Sequence, residues 1–86
     1  MDPILASLTA SLLAFVEDQL SNNEVTSDEE LVEHFVGNGL TEAQARQALT
    51  YREQYLSRIY LEGFTPIQKG REALHFDPHS RQFVPD

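Results

Sequence analysis

The sequence predicts a mainly α-helical domain in which three helices precede a C-terminal β-hairpin. Apolar residues recur at helical spacing over about residues 3–20, 28–37 and 42–62. Further along, over about residues 71–84, the pattern changes to the alternation of paired strands. The two periodicities separate helices from strands. The length of 86 residues predicts one domain spanning residues 1–86.

The first helix is predicted to begin at Asp2, a good N-cap residue, with Pro3 at the first helical position. Its apolar residues cover an arc of about 180° when they are placed at the helical angle per residue. This arc is wide for a small domain, and two interpretations stay open. The helix is either a central core element or a seam between two copies of the chain. The residues of the homodimer seam would be Leu5, Leu12, Val16 and Leu20.

Capping boxes mark the starts of the second and third helices. Ser27 with Glu30, and Thr41 with Gln44, have the spacing that satisfies the free N–H groups of a helix start. The third helix is predicted to be the longest and to end at Gly63, a typical C-cap residue.

The hairpin is predicted to turn at residues 77–80, whose sequence is Asp-Pro-His-Ser. Pairing across this loop would oppose Phe76 with Arg81 and Leu74 with Phe83. The three apolar side chains of these pairs then share one face of the hairpin. We expect that face to pack on the helices.

Charge is divided unevenly along the chain, whose net charge is −8. Nine of its 14 acids lie in the first 45 residues, which contain no Lys or Arg. The bases are Arg46, Arg52, Arg58, Lys69, Arg71 and Arg81. This division predicts a two-sided molecule whose partner binds on the third helix and the hairpin.

Three helices followed by a hairpin resemble the winged helix-turn-helix family in the order of their elements. The Gly-Asn-Gly-Leu connection at residues 37–40 suits the turn of that motif. The resemblance implies a DNA-binding regulator, acting as a dimer, with Arg46 near the major groove and Lys69, Arg71 and Arg81 near phosphates. The net charge disfavours a nucleic-acid partner, because DNA affinity comes largely from Lys and Arg that neutralise phosphates.

No catalytic or cofactor motif is present. The sequence has no paired base and nucleophile and no phosphate-cradling glycine loop. Without Cys, it also has no thiolate ligand. We therefore expect a non-enzymatic protein–protein interaction or regulatory adaptor domain without cofactor or metal. Tyr51, Tyr55 and Arg58 are the expected contact residues on the third helix, since Tyr and Arg are enriched at interfaces. Partial core packing of both tyrosines is the other interpretation.

The apolar stretch near the N-terminus predicts neither a membrane span nor a secretory signal. It is too short and too polar for a bilayer, and Asp2 stands where a signal needs positive charge. The lack of Cys fits a reducing compartment. We expect a soluble, cytoplasmic protein without a membrane partner.

Overall fold

The computed structural model describes residues 1–86 as five helices followed by a two-stranded antiparallel hairpin. The helices are α1 (Ala10–Asn22), α2 (Asp28–Gly37), α3 (Glu42–Leu49), α4 (Arg52–Ser57) and α5 (Pro66–Lys69), and the strands are β1 (Leu74–Asp77) and β2 (Gln82–Pro85). A single 3₁₀ turn, Gly70–Glu72, joins α5 to β1. The predicted mainly α class is confirmed, and the element order is compatible with a winged helix. No helix combines the length and the apolar character that crossing a bilayer requires.

The predicted start of the first helix is wrong, because α1 begins at Ala10 rather than at residue 3. Asp2 caps only a short turn, in which its Oδ1 atom accepts the N–H groups two and three residues further along. The backbone N–H of Asp2 donates to the carbonyl of Ile67 at 2.8 Å, which ties this turn to α5. Thr9 then caps α1.

The predicted helix over residues 42–62 is wrong as one element. It breaks after Leu49, resumes as α4 and ends at Ser57. At the break, the N–H groups of Thr50 and Tyr51 donate to carbonyls three residues earlier, which is 3₁₀ geometry. Residues 59–61 are extended against β1 instead of helical, as their hydrogen bonds and an isolated bridge show.

The register of the hairpin differs from the predicted one by two residues. Phe76 lies opposite Phe83, whereas Arg81 belongs to the turn. Arg81 has a φ of 55° and donates its N–H to the carbonyl of Asp77 at 2.7 Å, so the loop comprises residues 78–81. Because the shift is an even number of residues, every side chain keeps its predicted face.

The hydrophobic core is enclosed by α1, α2, α3, α4 and α5. Its largest fully buried side chains are Phe35, Leu5, Leu20, Leu31, Ile67 and Val16. Three of the four residues in the predicted dimer seam, Leu5, Val16 and Leu20, have no exposed surface. Only Leu12 stays partly accessible. Leu5, Val16 and Leu20 therefore pack in the core of their own chain.

Candidate functional site

Arg46, in the last turn of α3, is bound by carboxylates from the acidic half of the molecule. Its guanidinium lies 3.2 Å from a carboxylate oxygen of Glu29 and 3.1 Å from one of Glu42. The hydrogen bonds that Arg46 donates to Glu29, which has the larger effect, and to Glu42 raise the pKa of Arg46. The neighbouring amides of Gln44 and Gln47 donate to the N-terminal turn. The polar side chains of Gln44, Arg46 and Gln47 on α3 are thus engaged within the chain.

Arg52, at the start of α4, clamps the loop between α1 and α2. Its guanidinium donates to the carbonyls of Asn23 at 2.7 Å and Thr26 at 2.6 Å, and to Asp28 at 2.7 Å. Only 12% of the side chain is exposed. No local signal in the sequence shows that the charged end of Arg52 binds backbone carbonyls.

Tyr51 is anchored to the N-terminal turn. Its hydroxyl donates to Oδ2 of Asp2 at 2.6 Å, and Gln47 donates to the same oxygen at 2.8 Å. Burial tends to raise the pKa of Asp2, but these two bonds and two backbone N–H groups together lower it below its ordinary value. Burial, followed by the bond to Asp2, raises the pKa of Tyr51 to about 12.

Replacing Asp2 is expected to remove a pH-dependent part of the stability. A carboxyl with a lowered folded-state pKa stabilises the fold above its unfolded pKa of about 3.9 and loses that effect as the pH falls through the folded pKa. Asp2→Asn should lower the free energy of unfolding by about 1–2 kcal/mol at neutral pH. Urea denaturation over a pH series should show this difference shrinking below about pH 4.

The control for this experiment is Glu33→Gln, since Glu33 is exposed and makes no hydrogen bond or ion pair within the chain. It should change the stability by less than about 0.5 kcal/mol at any pH. The assigned role of the carboxylate would be contradicted if the difference in the free energy of unfolding between Asp2→Asn and the wild type stayed constant down to the lowest pH measured.

Tyr55 is part of the core. Tyr55 is only 3% exposed, and its hydroxyl donates to Oε2 of Glu17 at 2.6 Å. Gln68 donates to the other oxygen of that carboxylate at 2.8 Å. Burial is the main cause that raises the pKa of Tyr55 well above its ordinary value, and the hydrogen bond to Glu17 raises it further. The structure therefore favours core packing of Tyr51 and Tyr55 over an exposed patch shared with Arg58.

Arg58 lies beside the hairpin, where Asp86 gathers several polar groups. The Arg58 guanidinium is 3.5 Å from Oδ1 of Asp86, and the hydroxyl of Tyr60 donates to Oδ2 at 2.9 Å. The Nδ1 atom of His75 lies 2.6 Å from Oδ1. His79 is remote from this cluster, with its N–H donated to Asp77. These contacts tie the end of β2 to the chain that follows α4.

A cleft of 630 Å³ runs between the end of α1 and the segment that leaves α4. Glu17, Tyr55 and Gln68 line it, and their polar groups bind one another as described above. No three side chains of metal-binding type come together anywhere in the molecule. The cleft therefore offers an acidic wall but no assembled set of reactive groups.

Lys69, Arg71 and Arg81 are the bases without an ion pair. All three residues are exposed, and no carboxylate lies within 4.0 Å of any of them. The ammonium of Lys69 lies 5.5 Å from the ring centre of Phe64, at cation–π distance. Lys69 and Arg71 precede β1, and Arg81 lies in the hairpin turn. The unpaired positive charge therefore stands at both ends of the hairpin.

Residues 59–61 form a third extended segment, which pairs with β1 and widens the hairpin into a small sheet. The N–H of Leu61 donates to the carbonyl of Leu74 at 2.9 Å, and that of Phe76 donates to the carbonyl of Ile59 at 2.7 Å. Alternation along the three segments places six apolar residues on one side. We call this side the outer sheet face; it consists of Ile59, Leu61, Leu74, Phe76, Phe83 and Pro85.

The outer sheet face points away from the helices. Tyr60 occupies the opposite side, where its ring lies 5.6 Å from that of Tyr55 in the core. Ile59 is 71% exposed and Phe83 39% exposed. The rings of Phe76 and Phe83 contact edge to face with their centres 5.6 Å apart. No residue of this face belongs to the buried core.

The expectation that the apolar face of the hairpin packs on the helices is therefore wrong. The physical reason is the pairing of residues 59–61 with β1, which turns the side carrying Tyr60 and His75 toward α4. Sequence reasoning missed Ile59 as a surface residue because it placed residues 59–61 in a helix. The alternation of Ile59, Tyr60 and Leu61 was the available signal, but three residues are too few to outweigh the helical pattern before them.

Comparison of the chain with protein-family models, curated proteins and solved structures found no significant match in any of the three. The function has therefore to be inferred from the surface of this chain.

Proposed function

We propose that this chain is a non-enzymatic protein–protein interaction domain that binds its partner through the outer sheet face. The observation that carries the proposal is the apolar row formed by Ile59, Phe76 and Phe83, two of which are substantially exposed. Exposed apolar patches with a polar rim are typical of interaction sites. Single apolar residues scattered over a surface are normal in folded proteins. A row of apolar residues across neighbouring strands is better explained by an interaction site.

The charges around the outer sheet face support the same proposal. Lys69, Arg71 and Arg81 stand near it without carboxylate partners, whereas Arg46, Arg52 and Arg58 are paired within the chain. Charged residues around an apolar contact surface affect the specificity and the rate of protein association more than the affinity. Because the chain has no Cys, a cytoplasmic location remains the proposed one.

A winged-helix DNA-binding regulator is the alternative, favoured by the three unpaired bases near the hairpin. Two observations weaken it. The helix that would enter the major groove, α3, has only eight residues. Its Arg46 is bound by Glu29 and Glu42 and would have to leave both carboxylates to reach DNA. Binding to duplex DNA that falls steeply with salt and is lost in Arg71→Ala would favour this alternative.

The proposed site is tested by the double variant Ile59→Asp with Phe83→Asp. It should keep the helical circular dichroism of the wild type, because both side chains lie outside the core. It should bind the physiological partner at least about tenfold more weakly, since charges in an apolar contact are strongly unfavourable. Quantitative comparison of proteins cross-linked to the wild type and to the variant measures the loss.

Val25→Asp is the matched control, because Val25 is 96% exposed and lies in the loop between α1 and α2. Proteins retained by Val25→Asp but lost from the double variant mark the outer sheet face as the site. If every captured protein stays bound to the double variant, the proposed site is wrong.

A further inference from the structure

Residues 58–62 form a free edge of the small sheet. Ile59 and Leu61 turn their backbone groups toward β1, to which both are hydrogen-bonded. Because these groups alternate along an extended chain, Arg58, Tyr60 and Glu62 turn theirs the opposite way. Four groups on that side join no backbone hydrogen bond: the carbonyl of Arg58, the N–H and carbonyl of Tyr60, and the N–H of Glu62. Such an edge is a template for pairing with another strand.

The side chains along this edge carry opposite charges on either side of Tyr60. Arg58 precedes Tyr60 by two residues and Glu62 follows it by two, so alternation places all three side chains on the same side of the sheet. Glu62 is exposed and has no ion pair. The side chain of Arg58 is 45% exposed although it lies 3.5 Å from Asp86. Both charges are therefore accessible to an incoming strand.

The space beside the edge is the cleft of 630 Å³ that separates the edge from the end of α1. Its charged lining residues are Arg58 and Glu62 on the edge and Glu17 and Asp18 on α1. Glu17 is bound within the chain as described above, and Asp18 accepts a hydrogen bond from Asn22. A strand that pairs with this edge would need an acid opposite Arg58 and a base opposite Glu62.

We infer that a second copy of this chain supplies that strand, and that the two copies pair in antiparallel fashion through residues 58–62. The twofold axis passes beside Tyr60, so Arg58 of each copy lies opposite Glu62 of the other copy. Two ion pairs form across the axis, between side chains close enough to interact. The unpaired groups are matched as well: the two tyrosines exchange two hydrogen bonds, and each Glu62 N–H donates to the Arg58 carbonyl of the other copy.

This pairing also covers Ile59, which is 71% exposed in the single chain. Ile59 of each copy would lie opposite Leu61 of the other copy, on the outer sheet face. Because the axis is perpendicular to the sheet, the outer sheet faces of both copies then lie on one side and form a continuous surface. The inference goes beyond the proposed function, since it rests on the edge of the sheet and not on its face.

The size of the contact determines how strong the dimer is. A stable interface between two folded proteins buries about 800 Å² on each partner, and pairing over five residues buries less than that. We therefore expect a weak dimer, with a dissociation constant on the order of 100 µM. Sedimentation equilibrium of the full chain between about 10 µM and 1 mM should show the mass rising from that of one chain toward that of two.

Charge reversal on the edge tests the pairing. Arg58→Glu and Glu62→Arg should each raise the dissociation constant at least about tenfold, because like charges then face each other across the axis. An equimolar mixture of the two variants should associate at least as strongly as the wild type, because the acids of one chain then face the bases of the other. This recovery separates pairing from any effect of Arg58→Glu on its contact with Asp86.

Arg81→Glu and Glu33→Arg are the matched controls. They change the net charge by the same amounts, and both residues are exposed outside residues 58–62. Each should change the dissociation constant by less than about threefold, and mixing the two should bring no gain. Phe83→Asp should also leave the dimer intact, because Phe83 lies on β2, at the other edge of the sheet. Circular dichroism confirms that each variant keeps its helices.

The outcomes separate this inference from the proposed function. The mass of a single chain at every concentration up to about 1 mM would overturn the inference. Association that both edge variants leave unchanged, or a mixture of the two that associates no better than its components, would overturn it as well. If Phe83→Asp abolishes association and Arg58→Glu does not, the copies meet through the outer sheet face and the inference is wrong. If the dimer behaves as expected but Ile59→Asp with Phe83→Asp keeps every cross-linked protein, the inference stands and the proposed site is wrong.

Discussion

Tyr55→Ala is expected to lower the free energy of unfolding by about 3–5 kcal/mol, the usual effect of removing a large aromatic side chain from a core. Tyr55 is 3% exposed and belongs to the buried cluster. A chain of this length has a total stability of roughly 4–13 kcal/mol. The expected loss is therefore a large share of the total stability, and urea denaturation followed by circular dichroism measures it.

Tyr55→Phe separates the hydroxyl from the ring. It should lower the stability by about 1–3 kcal/mol, because the part-buried Glu17 carboxylate loses its 2.6 Å hydrogen bond. Tyr55→Phe should lower the stability less when Glu17 is already replaced by Gln. The difference between the two losses of stability is the coupling energy of Tyr55 and Glu17. If Tyr55→Ala changes the stability by less than about 0.5 kcal/mol, Tyr55 is not a core residue and the exposed contact patch of the sequence analysis is favoured.

Arg52→Ala is expected to lower the stability by about 2–4 kcal/mol, since part-buried carbonyl groups lose their donors. The side chain holds the carbonyls of Asn23 and Thr26 in the loop between α1 and α2. Amide hydrogen exchange should become faster in residues 23–27, because this loop has few other contacts that fix it. Chemical denaturation measures the global loss, and the exchange experiment locates it.

Arg46→Ala is the control for Arg52→Ala, because Arg46 binds two carboxylates but no backbone carbonyl. Its ion pairs are exposed, so the expected loss is only about 0–1 kcal/mol. The stability of Arg52→Lys should lie between those of the two variants, because an ammonium keeps the charge but not the two nitrogens that bind Asp28 and the two carbonyls at once. Equal losses for Arg52→Ala and Arg46→Ala would show that the clamp on the loop contributes nothing beyond a surface ion pair.

Features that depend on neighbours in sequence were predictable. Ser27 and Thr41 accept the N–H groups of Glu30 and Gln44, which is the capping that the spacing indicated. The hairpin also forms in the region where the alternation predicted it, and the predicted side chains share each of its faces, although the register is shifted by two residues. These features need only a few consecutive residues, whose own hydrogen bonds and side-chain periodicity determine them.

The candidate site was predicted only in part. Lys69, Arg71 and Arg81 are exposed near the hairpin, as their position in the sequence indicated. Tyr51 and Tyr55 point to partners in distant parts of the chain, and the outer sheet face was missed. Its third segment, residues 59–61, gains its extended form from hydrogen bonds to β1. Such pairing follows from the path of the whole chain rather than from local preference.

The sequence by itself determined the mainly helical class, the capped starts of α2 and α3, the hairpin and the uneven charge. Tertiary structure alone decided where the third predicted helix breaks. Residues 42–57 contain no Gly or Pro, so nothing local ends a helix at Leu49. Tyr51 bonds to Asp2 and Arg52 to the loop before α2. These long-range bonds hold the chain in its bent form, in which the outer sheet face is exposed.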